Sequence, residues 1–66
     1  MSTVTLCEVR LPGSYPAPDT IIAAEWDKHD GYRVRQEGRP DVTYPSASAA
    51  VSAACGRATR VYYETR

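Results

Sequence analysis

Apolar and polar residues alternate along most of this chain, and one segment has a longer period. In TVTLCEVRL, residues 3–11, β-branched and apolar side chains recur at every second position, which is the period of a strand. Thr5, Cys7, Val9 and Leu11 would share one face and Val4 and Leu6 the other, so the first half of this strand is expected to be covered on both sides. The eight residues PGSYPAPD hold three Pro and a Gly and can form neither a helix nor a central strand. Alternation resumes in TIIAAEW, residues 20–26, with Ile22, Ala24 and Trp26 on one face. It continues in GYRVRQE, with Tyr32, Val34 and Gln36 on one face and Arg33, Arg35 and Glu37 on the other.

Parity fixes how these two strands meet. A loop of two or four residues would set the Trp26 face against the arginines, whereas an odd loop sets Trp26 beside Tyr32 or Val34. The loop His29-Asp30-Gly31, with Gly31 in the left-handed region, satisfies this, as does a five-residue loop. EGRPD is a second turn, and VTY, residues 42–44, a short strand. A five-residue loop would set Val42 beside Gln36 and Tyr44 beside Val34.

The period then changes. After Pro45, Ser46 can cap a helix, and Ala47, Ala50, Val51, Ala54 and Ala58 recur at helical spacing. Gly56 stands where a left-handed C-cap belongs, so the pattern predicts a helix over residues 46–55. ATRVYYETR, residues 58–66, alternates again and predicts a last strand, with Arg60, Tyr62 and Glu64 on one face. The expected architecture is α+β: an antiparallel sheet in chain order β-β-β-β-α-β, one helix on one face, and residues 1–66 as a single domain. The other sheet face would carry Arg33, Arg35, Arg60 and Tyr62.

Composition narrows the function. With 66 residues, abundant Ala and no Phe, the core must be thin, and a pocket of a few hundred Å³ is not expected. Eight basic and eight acidic residues give zero net charge, which argues against a general basic nucleic-acid coat protein and against a wholly acidic DNA mimic. The charge is split along the chain, however. Asp19, Glu25, Asp27 and Asp30 stand against Lys28 alone, while six Arg from Arg33 onward outnumber Glu37, Asp41 and Glu64. Two cysteines, Cys7 and Cys55, are too few for a secreted disulfide scaffold, and no leader or membrane-spanning run is present; the expectation is a cytoplasmic protein with two reduced, buried thiols.

Little in the chain suggests catalysis. The single His29 lies in WDKHDG at an exposed hairpin tip, where Asp-Gly is turn chemistry first and three inward metal ligands are not assembled. No nucleophile elbow surrounds Ser46, Ser48 or Ser52, and there is no CxxC, phosphate loop or glycine fingerprint. The expectation is no enzyme, no metal and no cofactor. Two surfaces remain as candidates. Arg33, Arg35, Arg60 and Tyr62 could stack and pair with nucleic acid, and the acidic tip of Glu25, Asp27 and Asp30 could enter a nucleic-acid-binding groove of another protein.

GYRV, a turn, and TYPSASAAVSAACG together resemble small restriction-enzyme and adenine-methylase associated (RAMA-like) domains over residues 31–63, through Pro45, Ser46, Ser48, Ala49, Ala50 and Gly56. The resemblance implies a strand pair, a helix ending at glycine and a short aromatic strand. It departs from that family after the helix, where RATRVYY replaces the usual Asn-Gly-Trp. In size and character the chain is also similar to phage accessory proteins of the anti-CRISPR kind. That likeness implies a small inhibitor or accessory protein, monomeric or homodimeric, acting in the host cytoplasm on a bacterial nucleic-acid-handling complex. The alternative expectation is a direct DNA- or RNA-binding module.

Overall fold

The computed structural model describes residues 3–64. Four strands, β1 (Val4–Leu11), β2 (Thr20–Asp27), β3 (Gly31–Gln36) and β4 (Val42–Tyr44), pair antiparallel with their chain neighbours, and one helix, α1 (Ala47–Glu64), follows. The α+β class and the single helix over an antiparallel sheet agree with the sequence pattern.

The central hairpin follows parity. Ile22, Ala24 and Trp26 stand opposite Gln36, Val34 and Tyr32. Its loop is residues 28–30, one position earlier than expected, and Gly31 (φ +76°) pairs with Asp27 in the left-handed conformation. In the next hairpin Val42 faces Val34 and Tyr44 faces Tyr32, so the connection enclosed by the first pair, residues 35–41, is two residues longer than a five-residue loop. The expected faces survive because the shift is even.

Strand β1 departs from its simple alternation. Cys7 and Val9 face Ala24 and Ile22, but a bulge between Thr5 and Cys7 sets Thr5 beside Glu25 and Val4 beside Trp26. Thr5 therefore leaves the face of Cys7, and Val4 and Leu6 are exposed rather than covered.

The larger correction is at the C-terminus of the described chain. Where a fifth strand was expected, α1 runs on for 18 residues through Gly56 to Glu64. Its start is as the sequence predicts: Ser46 Oγ accepts the Ala49 N–H at 3.2 Å. Beyond Gly56 the buried stripe of Ala50, Ala54 and Ala58 is extended by Val61, which packs against the core. The Thr59 hydroxyl donates to the Cys55 carbonyl one turn back, at 3.0 Å, and so satisfies itself within the helix. A glycine inside a helix costs about 1 kcal/mol, which burying Ala58 and Val61 offsets. Length agrees as well: 18 helical residues span roughly 27 Å, close to the roughly 26 Å of the eight-residue strands beneath.

Ile22, Ala24 and Val34 form the sheet side of the core and the three alanines the helix side, with Cys7, Val9, Leu11, Tyr32, Tyr44 and Val51 around them. Alanine lets the helix backbone lie close to the sheet. Cys7 is half-buried in this layer, but Cys55 is exposed on the helix, contrary to the expected pair of buried thiols; both are free. The Pro-rich loop is held by the Gly13 N–H on Asp19 Oδ1 (2.9 Å), and a Cβ at Gly13 would collide with the Ala17 and Pro18 carbonyls. This loop and the far half of α1 enclose a groove of about 600 Å³, bordered by Leu11, Pro18, Val61 and Tyr62. A thin core thus coexists with a sizeable groove, because the segment expected to complete the sheet stands above it as helix. No helix among the described residues is long and apolar enough to cross a membrane.

Candidate functional site

The sheet face turned away from α1 gathers five of the seven residues singled out by sequence. Strand alternation turns Ala23, Glu25 and Asp27 of β2 outward together with Arg33 and Arg35 of β3. Glu25 stands directly opposite Arg33 and diagonally from Arg35. The Glu25 carboxylate accepts from Arg33 Nε at 3.3 Å and from Arg35 through both Nε (3.2 Å) and Nη2 (3.1 Å), a two-pronged contact suited to the guanidinium fork. Although no second layer covers this face among the described residues, Glu25 is only 4% exposed, because the two arginines close over it. Glu25, by side-chain hydrogen bond and charge, holds the Arg35 guanidinium above its ordinary range, and Asp41 and Glu8 add to the effect.

Arg33 also reaches the hairpin tip. Its Nη1 lies 3.2 Å from Asp30 Oδ2 and 3.7 Å from Asp27 Oδ2. Asp27 in turn organises the tip. Its Oδ1 accepts the His29 N–H (2.8 Å) and, more weakly, the Asp30 N–H (3.4 Å), and its Oδ2 accepts the Thr3 hydroxyl (3.0 Å). The hydrogen bonds from His29 and Thr3 lead in holding the Asp27 carboxyl below its ordinary range, with Arg33 helping. His29 is exposed on this turn, and no three His, Cys, Asp or Glu side chains converge as a metal cluster among the described residues.

The acidic tip and the β3 arginines are therefore one network. The shared face expected for Arg33, Arg35, Arg60 and Tyr62 does not form: Arg60 and Tyr62 belong to α1, on the other side of the sheet. The parity that set Trp26 on the side of Tyr32 and Val34 already set Glu25 on the side of Arg33 and Arg35, so their shared face could be found in the sequence, although the residue opposite Glu25 could not. Glu8, Glu25, Asp27, Asp30 and Asp41 surround this face against Arg10, Arg33 and Arg35, which leaves it rich in carboxylate.

A second basic group went unrecognised. Arg57, Arg60, Val61 and Glu64 fall along one side of the helix and, with Gln36 and Arg39, line a cleft of about 290 Å³. The sequence signal was the helical stripe continuing from Ala54 to Ala58 and Val61, since Arg57 and Arg60 flank that stripe. No protein family, no curated protein and no solved structure matches this chain.

Proposed function

We propose that this protein is a non-enzymatic inhibitor or accessory protein that binds a bacterial nucleic-acid-handling complex by surface contact, in the anti-CRISPR manner, within the host cytoplasm. The observation that carries this reading is the hairpin tip, where Asp27 and Asp30 are fixed by backbone N–H groups, Thr3 and Arg33. Carboxylates held in place lose little freedom on binding, and a rigid acidic edge suits a groove built to hold phosphates. Direct nucleic-acid binding by the sheet face is disfavoured, because Arg33 and Arg35 already spend their donors on Glu25 and Asp30. Purified protein is expected to bind a guide-RNA effector complex in competition with its DNA target, more weakly as salt rises. Asp27→Lys/Asp30→Lys should abolish that competition. Binding that survives this charge reversal, or failure to bind any effector complex tried, would remove the reading.

A further inference from the structure

The cleft between the turn after β3 and the far half of α1 has the wrong electrostatics for mere scaffold. Arg39 comes from the turn, Arg57 and Arg60 from the helix, Gln36 lies on its floor, and Glu64 stands at one side. All the ion pairs formed among the described residues belong to Arg33 or Arg35, so these three guanidiniums gather without a carboxylate partner there. Nη1 of Arg57 is moreover closed off from solvent and meets no hydrogen-bond partner among the described residues. A charged donor withdrawn from water without an acceptor is costly, and native proteins keep few of them. Gln36 is itself buried and polar, so the floor of the cleft is not an apolar surface.

We propose that this cleft is a binding site for a phosphate group. Three guanidinium charges less the Glu64 carboxylate leave two positive charges, close to the charge of a phosphate monoester at neutral pH. A tetrahedral oxyanion offers acceptors to three arginines arriving from two elements, whereas a carboxylate has two oxygens and one charge. The volume admits a phosphate together with part of the molecule that carries it. The group can come from a small phosphorylated compound or from a nucleic-acid backbone. The site is separate from the acidic tip and stands whether or not that tip binds an effector.

The test follows the arginine Nε–Hε signals by NMR in phosphate-free, low-salt buffer, titrated separately with inorganic phosphate, a short single-stranded oligonucleotide and acetate. Phosphate should shift Arg57, Arg60 and Arg39 saturably and leave Arg33 and Arg35 in place. Arg57→Gln should weaken binding by about tenfold or more. Its thermal midpoint without ligand should be equal to or above that of the parent protein, since an unpartnered buried donor is removed. Arg39→Gln, in an exposed turn, gives the same loss of affinity with no packing change. Saturation by the oligonucleotide at far lower concentration than by phosphate identifies a nucleic-acid backbone as the source; the reverse order identifies a small phosphorylated compound. Unmoved signals, equal movement of Arg33 and Arg35, or saturation by acetate as readily as by phosphate would overturn the proposal.

Discussion

Arginines occupy two contrasting settings on this small protein. On the outer sheet face Arg33 and Arg35 close over Glu25, and every contact is set by strand register: opposite for Arg33, diagonal for Arg35. Across the molecule Arg57 and Arg60 project from a helix beside Arg39, with no carboxylate paired to them among the described residues. Identical side chains thus serve opposite ends. The first group consumes its own charge to hold a hairpin and its acidic tip, and the second keeps its charge available. The difference teaches that a count of arginines says little about phosphate binding until their neighbours across the fold are known.

The comparison is broken most severely by removing Glu25, which would convert the first setting into the second. Glu25→Ala leaves Arg35, 57% exposed, free to turn into water, but strands Arg33, 17% exposed, with only the tip aspartates. Loss of three charge-assisted hydrogen bonds around a buried carboxylate should cost about 2 kcal/mol, below the range for fully buried pairs because Arg35 can rehydrate. Urea denaturation should show the midpoint fall with the slope unchanged. A midpoint that does not move would mean the network is a surface decoration and that the two settings differ in name only.

The second setting depends on the helix passing straight through Gly56. Nothing lies within 4 Å of a Cβ built there, and the residue does not have the positive φ of a left-handed cap. Gly56→Ala should therefore stabilise the protein by about 1 kcal/mol and raise helix content by circular dichroism. Had the helix ended at Gly56 in a left-handed cap, the same change would destabilise it by a similar amount or more. The sign of this one substitution decides whether Arg57 and Arg60 share a helix side.

That position also marks where the sequence stops being readable by local rules. Through residue 55 the period-two strands, the parity of the 28–30 loop and the Ser46 cap could be read directly, because each is enforced within a few residues. From residue 58 two patterns coexist. Thr59, Val61 and Tyr63 alternate like a strand, while Ala54, Ala58 and Val61 extend a helical stripe. Local propensity favours the strand; tertiary packing selects the helix, because α1 must cover sheet strands as long as itself. The β1 bulge was hidden for a related reason, since the extra residue Leu6 has no marker such as Gly. The candidate surfaces suffered from these same gaps. Glu25, Asp27, Asp30, Arg33 and Arg35 were identified singly but treated as two patches, although the parity that puts Glu25 on the face of both arginines was already in hand. Arg57 and Arg39 could be placed together only once the expected strand, as far as Glu64, was given up for helix; its last two positions, 65 and 66, lie outside the described residues.

The smallest effect concerns Asp27, and it separates the settings by pH. The folded protein holds this carboxyl below its ordinary 3.8 through hydrogen bonds from His29, Thr3 and Asp30 and the charge of Arg33. An unfolded chain would protonate it first as the solution is acidified. Its contribution is therefore complete above the ordinary aspartate range and is lost as pH falls through the lower, folded value. Asp27→Asn keeps an oxygen for the His29 N–H and removes the titration, so it should cost little at pH 7 and flatten the fall of Tm below about pH 4. Arg57→Gln, whose guanidinium has no carboxylate to lose, should leave that acid limb unchanged. If both variants alter it equally, the hairpin carboxylates are not the anchors of the first setting, and the contrast between the two arginine groups is one of position alone.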